Sequence, residues 1–266
     1  MTLTIGCIGC GNMGGAMLSG LARHGGYDLC GYNRSPERMQ PLEQQGVHVL
    51  KSPLAVAQAA DLVLVAVKPY QVEAVLREVR PALNRDKVVV SIAAGIRRQR
   101  LAAFTDNACP VVRCMPNTPA LVGKGLFALC LEDPTLTAAH KQVVRDVFAV
   151  LGLCIDMPES KFTAFSALIG AGPAYVFAMM QGLAQAGVTL GFQHAEAHAM
   201  VAALFDGCAA MAASGTKHFM QLRDDVCSPA GLTIAGVNVL DRAGLTGLLV
   251  SAVLAADARG RDMEKE

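Results

Sequence analysis

The chain has 266 residues, of which 53% are apolar and 17% charged, and its formal net charge is +1. That length suits one or two domains with a sizeable buried core. A near-neutral charge without a Lys/Arg stripe argues against nucleic acid or an anionic membrane as partner, and no run reaches the roughly 18 uninterrupted apolar residues of a membrane span.

Taken in chain order, Leu3-Thr4-Ile5-Gly6-Cys7-Ile8 is a short apolar run ending at glycines, which predicts a buried parallel strand. Residues 12–24 carry helical spacing through Met13, Met17 and Leu21, and Gly25-Gly26 stops them. Residues 28–32 read as a second strand and 61–67 as the clearest one. Further strands are expected at 88–92 and 111–114, with helical stretches such as 71–80 between them. This alternation predicts an α/β fold, a Rossmann-type doubly wound sheet with helices on both faces. Residues 126–131 and 154–157 are candidates for extra strands at one edge. After Pro158 only helices are expected, at 165–187, 195–214, 229–242 and 245–259. In the second of these, Ala197, Val201, Leu204, Cys208 and Met211 form one apolar stripe. The chain is therefore divided into residues 1–157 and an all-helical region, 158–266.

Nine cysteines are scattered along the chain. They read as buried, reduced thiols that fill space as small hydrophobes, consistent with a cytoplasmic location. The N-terminus enters a strand directly, so no signal peptide is expected.

The first chemical motif is Gly9-Cys10-Gly11-Asn12-Met13-Gly14. It falls between the first strand and the first helix, where a dinucleotide-binding turn belongs. Gly9 permits the tight turn, Gly11 lets the backbone approach a pyrophosphate, and Gly14 lets the helix pack near the strand. The free N–H groups of the helix start favour phosphate. The end of the second strand reads Tyr32-Asn33-Arg34-Ser35. An acidic residue there would bind the ribose 2′-hydroxyl of NAD. Arg34 instead can pair with a 2′-phosphate, so NADPH is favoured, with NADH as the weaker cofactor. Ala66-Val67-Lys68-Pro69 ends the clearest strand, Ala93 and Ala94 follow the next with room for a ribose or nicotinamide, and Asn117 lies in a proline-flanked loop after the one after that. Ligands in such sheets bind beyond the carboxyl ends of the strands.

The second motif is Val226-Cys227-Ser228-Pro229-Ala230-Gly231-Leu232-Thr233. Ser-Pro before a helical pattern predicts Ser228 as N-cap and Pro229 at the first helical position. The free N–H groups of such a start suit a carboxylate.

With these runs and Gly170-Ala171-Gly172-Pro173-Ala174-Tyr175 in view, the chain resembles the pyrroline-5-carboxylate reductase family over nearly its whole length. The resemblance implies an NADP-binding Rossmann domain, a helical substrate and dimerisation domain, and a homodimer often assembled further into a decamer. It implies that NADPH reduces the C=N bond of 1-pyrroline-5-carboxylate to give L-proline, with the Ser-Pro turn contributed by the dimer partner. Amides near Gly231 and Leu232 would take the substrate carboxylate, with Ser228 beside them, and the Thr233 hydroxyl would meet the ring nitrogen as the catalytic group. Asn33, Arg34 and Ser35 would hold the 2′-phosphate. Val67, Lys68, Pro69, Ala93 and Ala94 would line the cofactor.

Four positions depart from the family pattern. Ala230 replaces the first Gly of Ser-Pro-Gly-Gly, Leu232 follows the second, Ala171 replaces a Ser, and Pro53 stands where Asn often contacts the adenosine end. Ala230 is strained if its φ is positive. No metal site is expected: His194 and His198 share a helical face, but Glu196 falls at the wrong offset for a zinc motif. Two other functions fit the two-domain plan: a β-hydroxyacid or other imine dehydrogenase, and a non-catalytic NADPH-binding protein. The first usually needs a Lys at the start of the second domain, and only Lys161 is near.

Overall fold

The computed structural model describes residues 2–264; Met1, Lys265 and Glu266 lie outside the described residues. Strand β1 (Thr4–Ile8) leads through the glycine turn into α1 (Asn12–His24) and back to β2 (Asp28–Tyr32). A short helix α2 (Gln40–Glu43) and a two-residue strand β3 (His48–Val49) follow. Then come α3 (Pro53–Ala59), β4 (Leu62–Val65), α4 (Pro69–Val79), β5 (Val88–Ser91), α5 (Arg98–Phe104) and β6 (Val111–Met115). The sheet is completed by β7 (Gly125–Cys130), α6 (Ala138–Ala149) and β8 (Gly152–Asp156).

The strand order is β3-β2-β1-β4-β5-β6-β7-β8. All neighbours are parallel except β6 and β7, which run antiparallel. A parallel sheet needs cover on both faces, and β4 shows how the sequence meets that need. All four of its residues are buried. Leu62 and Leu64 face one core with Met17, Leu18 and Leu21 of α1 and Val144, Val147 and Phe148 of α6. Val63 and Val65 face the other with Val56 of α3, Val72 and Leu76 of α4 and Leu101 of α5. Each such side chain contributes about 1.5–3 kcal/mol by leaving water.

The helix starts are set locally. The Ser52 hydroxyl accepts the Ala55 N–H at 3.1 Å, with Pro53 at the first position of α3. Thr137 does the same for α6 through His140 N–H. From β1 the chain winds first toward β3 and then, from β4, toward β8. The strand order reverses between β1 and β4, whose carboxyl ends stand side by side with Ile8 opposite Val65. That switch point is where open α/β sheets bind ligands.

After β8 the chain is helical: α7 (Phe162–Phe165), a π turn over Ser166–Gly170, α8 (Gly172–Thr189), α9 (His194–Ala213), α10 (Phe219–Asp225), α11 (Leu232–Arg242) and α12 (Leu245–Met263). By contacts the chain forms two compact units, residues 1–171 with 257–266, and residues 172–256. The first unit thus extends past 157, because Phe162 and Phe165 bury against Ala128 and Cys130 of β7. The end of the chain also belongs to it. Arg113 of β6, its side chain 4% exposed, pairs with Glu159 and Glu264 at 3.4 Å each and lies 4.8 Å from the Phe162 ring centroid.

In the second unit Ala184 of α8 packs on Ala197 and Val201 of α9. The rest of the predicted α9 stripe is open, with Leu204 53% and Met211 55% exposed. Phe177, Leu248 and Leu254 are also exposed. The helical run Glu159–Thr189 is long and apolar enough to cross a membrane by length and composition, as is the bent pair α11 and α12 taken together.

Candidate active site

The cleft at the switch point has a volume of about 870 Å³. Its floor is the glycine turn. Gly9 has φ +96°, and its N–H donates to the Tyr32 carbonyl at 2.9 Å. A side chain there would meet Val67 and the Ala66 backbone, so both conformation and space require glycine. At Gly14 a methyl would collide with the Gly9 carbonyl oxygen and lie 2.8 Å from Ala66 Cβ. Gly11 differs: a Cβ there would find only Arg38 Nη1, at 3.9 Å. The backbone above Gly11 is therefore open to a ligand. Gly11 is also the N-cap of α1, with no side-chain cap and no acidic residue in the first turn. The positive end of the helix dipole faces an uncompensated opening.

Most predicted cofactor residues line this cleft: Gly9, Gly11, Asn12 and Met13 from the turn; Asn33, Arg34 and Ser35 after β2; Ala66, Val67, Lys68 and Pro69 after β4; and Ala93 and Ala94 after β5. The Asn33 side-chain amide donates to the Ser35 carbonyl at 3.2 Å and shapes that loop. Lys68 caps α4, its backbone N–H donating to Gln71 Oε1 at 3.3 Å. Three predicted residues are elsewhere. Gly14 lies beneath the turn. Cys10 is 2% exposed and its thiol donates to the Cys7 carbonyl at 3.5 Å, so its side chain turns into the core. The Asn117 carboxamide oxygen accepts the Leu126 N–H at 2.9 Å and ties its loop to β7; Met115 and Pro116 line the cleft instead.

The cleft also has a wall that the motifs do not show. Gln71, Val75 and Glu78 step along one face of α4, and Ser52, Pro53 and Arg38 stand near the end of β2. The 4,3 spacing of the α4 residues is a helical face, but a sequence offers several such faces per helix.

Cys7 and Cys10 are spaced as Cys-x-x-Cys, which a reading of scattered cysteines passes over. The Cys7 thiol is held well above its ordinary range, first by its hydrogen bond with Cys10 and then by burial. Burial pushes Cys30 beside them up to about 11. Cys7 and Cys30 therefore stay protonated at neutral pH and are fillers rather than nucleophiles. Among the described residues no group of three His, Cys, Asp or Glu side chains could hold a metal ion. Glu196 caps α9, accepting the Gln193 N–H at 3.0 Å.

In the second unit the Ser-Pro run makes a turn before its helix. The Gly231 N–H donates to the Ser228 carbonyl at 3.0 Å, closing a four-residue turn with Pro229 second and Ala230 third. The N-cap of α11 is Gly231 and the helix begins at Leu232. This corrects the expectation that Ser228 caps a helix starting at Pro229. The turn uses up Ser228 to Gly231 before helical geometry starts. Ala230 has φ +58°, the left-handed conformation that its departure from glycine made costly. A side chain at Gly231 would strike the Ser228 hydroxyl. Gly231 has no side chain to cap the helix, Leu232 is 95% exposed, and Thr233 stands exposed in the first turn. Arg223 of α10 braces the turn by pairing with Asp224 at 2.9 Å and with Asp241 of α11 at 3.5 Å.

A doubly wound sheet with an uncapped glycine turn, an open cleft at its switch point and a helical C-terminal region defines a dinucleotide-binding oxidoreductase fold. Residues 4–95 match the family model of F420-dependent NADP oxidoreductases, and residues 159–263 match that of pyrroline-5-carboxylate reductase dimerisation. The chain is 35% identical to the pyrroline-5-carboxylate reductase of Escherichia coli K12 over the full length of both. Its fold is similar to a pyrroline-5-carboxylate reductase structure from Coxiella burnetii (TM-score 0.92, 32% identity, full coverage of both chains). A Plasmodium falciparum pyrroline carboxylate reductase with NADP bound is also similar (TM-score 0.89, 28% identity, 98% of each chain). The chain belongs to the pyrroline-5-carboxylate reductase family.

Proposed function

We propose that this protein is a pyrroline-5-carboxylate reductase that uses NADPH, with NADH as the weaker cofactor. The observation that carries this reading is the pairing of two features in one chain: a dinucleotide cleft with Arg34 and no carboxylate at the 32–35 loop, and an uncapped helix start bearing Thr233. The cleft fits the cofactor: the backbone is open above Gly11, and the amides at the start of α1 suit the pyrophosphate. Asn33, Arg34 and Ser35 would hold the 2′-phosphate, and Arg34 has no ion-pair partner among the described residues. Ala66 to Pro69 with Ala93 and Ala94 would flank the remainder. When bound, NADPH supplies the hydride.

The chain's own part is positioning. The amides of Gly231 and Leu232 would bind the substrate carboxylate, with Ser228 beside them, and the Thr233 hydroxyl would orient the ring through its nitrogen. A protonated cyclic imine is already a good hydride acceptor, so placement can supply several kcal/mol without a strong side-chain acid. We further assign residues 1–157 to NADP binding and 158–266 to substrate binding and dimerisation. We also propose that the chain forms a homodimer, assembled further into a decamer, in the cytoplasm; the exposed apolar surface of the second unit supports the dimer. NADPH oxidation with 1-pyrroline-5-carboxylate, run beside a panel of β-ketoacids, tests the reading. Turnover of the imine alone supports it; turnover of the ketoacids, or of nothing, overturns it.

A further inference from the structure

Arg113 is a charged residue where the sheet asks for an apolar one. It is the middle residue of β6, which has strands on both sides, and its side chain is buried. Side chains alternate along a strand. Val112 and Cys114 join the core that holds α1, while Val111, Arg113 and Met115 share the other face. A well-packed apolar side chain there would stabilise the fold as much as a buried ion pair does. What the guanidinium adds is direction. Its two terminal nitrogens meet Glu159 and Glu264, and it lies over the Phe162 ring. Each carboxylate is also held from elsewhere. The Arg98 N–H donates to Glu159 at 2.5 Å, and the Thr163 hydroxyl donates to Glu264 at 2.7 Å. Glu159 precedes the helical unit 172–256 in the chain and Glu264 follows it, so one guanidinium fastens both connecting segments to β6.

Two residues further along the same face, Met115 lines the cleft. It packs against the cluster of Ala128, Cys130, Phe162 and Phe165, and its methyl lies 3.0 Å from where a Cβ on Gly170 of the π turn would be. A thioether side chain has three rotatable bonds and keeps one position only where its walls are fixed. Part of those walls is the segment 162–170, which Arg113 holds through Phe162 and the carboxylates on either side of it in the chain. We propose that Arg113 is a positioning residue for the reaction: it fixes Met115, and Met115 bounds the nicotinamide end of the cleft. This rests on the cofactor site assigned above. The adenosine end belongs to β2, and β6 lies on the other side of the switch point, past β4 and β5. A loosened wall at that end lets the reacting atoms drift apart, and a misplacement of about 1 Å costs up to about a hundredfold in rate.

The test compares the wild type with Arg113→Lys and with the triple variant Arg113→Met/Glu159→Gln/Glu264→Gln, each assayed well below its own Tm. The triple variant removes all three charges at similar volume and should keep a Tm near that of the wild type. Its kcat with 1-pyrroline-5-carboxylate is expected to fall roughly tenfold, while KM for NADPH changes less than about twofold, because the phosphate contacts lie elsewhere. Arg113→Lys keeps the charge but loses the fork, so it should recover Tm more fully than kcat. A second readout needs no turnover. In methyl NMR of the cofactor-free protein with labelled methionines, the Met115 resonance, assigned by its loss in Met115→Leu, should move or broaden in Arg113→Lys. Wild-type kcat in a stable triple variant, a kcat and a KM for NADPH that change in parallel, or an unmoved Met115 resonance overturns the proposal. Failure of the reductase reading looks different: the wild type does not turn over the imine, yet the Met115 resonance still moves, and the hold of Arg113 on Met115 stands.

Discussion

Replacing Ala230 with glycine should stabilise the protein. Ala230 sits at φ +58° as the third residue of the turn closed by the Gly231 N–H and the Ser228 carbonyl. An L-residue in that region is disfavoured by roughly 1–2 kcal/mol, because Cβ crowds the following carbonyl. Glycine removes that strain, but its freer unfolded chain opposes folding by about 0.5–1 kcal/mol. The net gain is then about 0.5–1 kcal/mol, or roughly 1–4 °C in Tm for a chain of this size. Ala230→Val makes the opposite case, since a β-branched side chain tolerates positive φ worst; it should lose about 1–2 kcal/mol relative to the wild type. Urea midpoints and thermal scans, taken at one fixed protein concentration because assembly contributes to stability, read both changes. A valine variant as stable as the wild type, or a glycine variant that is less stable, would refute the strain argument.

Thr233→Ala should leave NADPH affinity intact and lower kcat/KM by roughly tenfold or more, as expected for one lost positioning hydrogen bond at the substrate; wild-type kinetics would remove Thr233 from the site. Gly14→Ala forces a methyl into the Gly9 carbonyl oxygen and Ala66. It should lose about 1–3 kcal/mol of stability in a denaturant titration and weaken NADPH binding, because the turn must shift. The last prediction concerns the acid limb of stability. Burial pushes the Glu264 carboxyl up, but hydrogen bonds from Thr163 and Arg97 and the charge of Arg113 outweigh it and hold the carboxyl below its ordinary value. A lowered folded pKa means that its stabilisation is present above the unfolded value of about 4.3 and is lost as pH falls through the folded one. Glu264→Gln should therefore be about 1–3 kcal/mol less stable at pH 7, since buried Arg113 keeps only Glu159. Its stability should also fall less between pH 5 and pH 3; parallel curves for variant and wild type would contradict this.

What could be read in the sequence depended on whether a residue's role is local. Residues 62–65 announce a strand because burial on both faces makes every position apolar. β3 has two exposed residues at the sheet edge and leaves no such pattern. α6 and the short α10 also went unread, although Thr137 caps the former in a recognisable way. The Ser-Pro signal was right about a helix start and wrong about its position. Ser, Pro and a following helical pattern describe an N-cap as well as a turn that precedes one, and only the positive φ at Ala230 tells them apart.

The same distinction explains the cofactor site. The glycine turn is legible because its three glycines answer to contacts within one strand–turn–helix unit and the strand beside it. Arg34 is legible because the end of the second strand is a known position in the fold. Arg38 is one of 23 Lys and Arg residues, and its partner Asn12 lies 26 residues upstream. Its place at the cleft becomes visible only once the chain is folded, when its guanidinium donates to Asn12 at the start of α1.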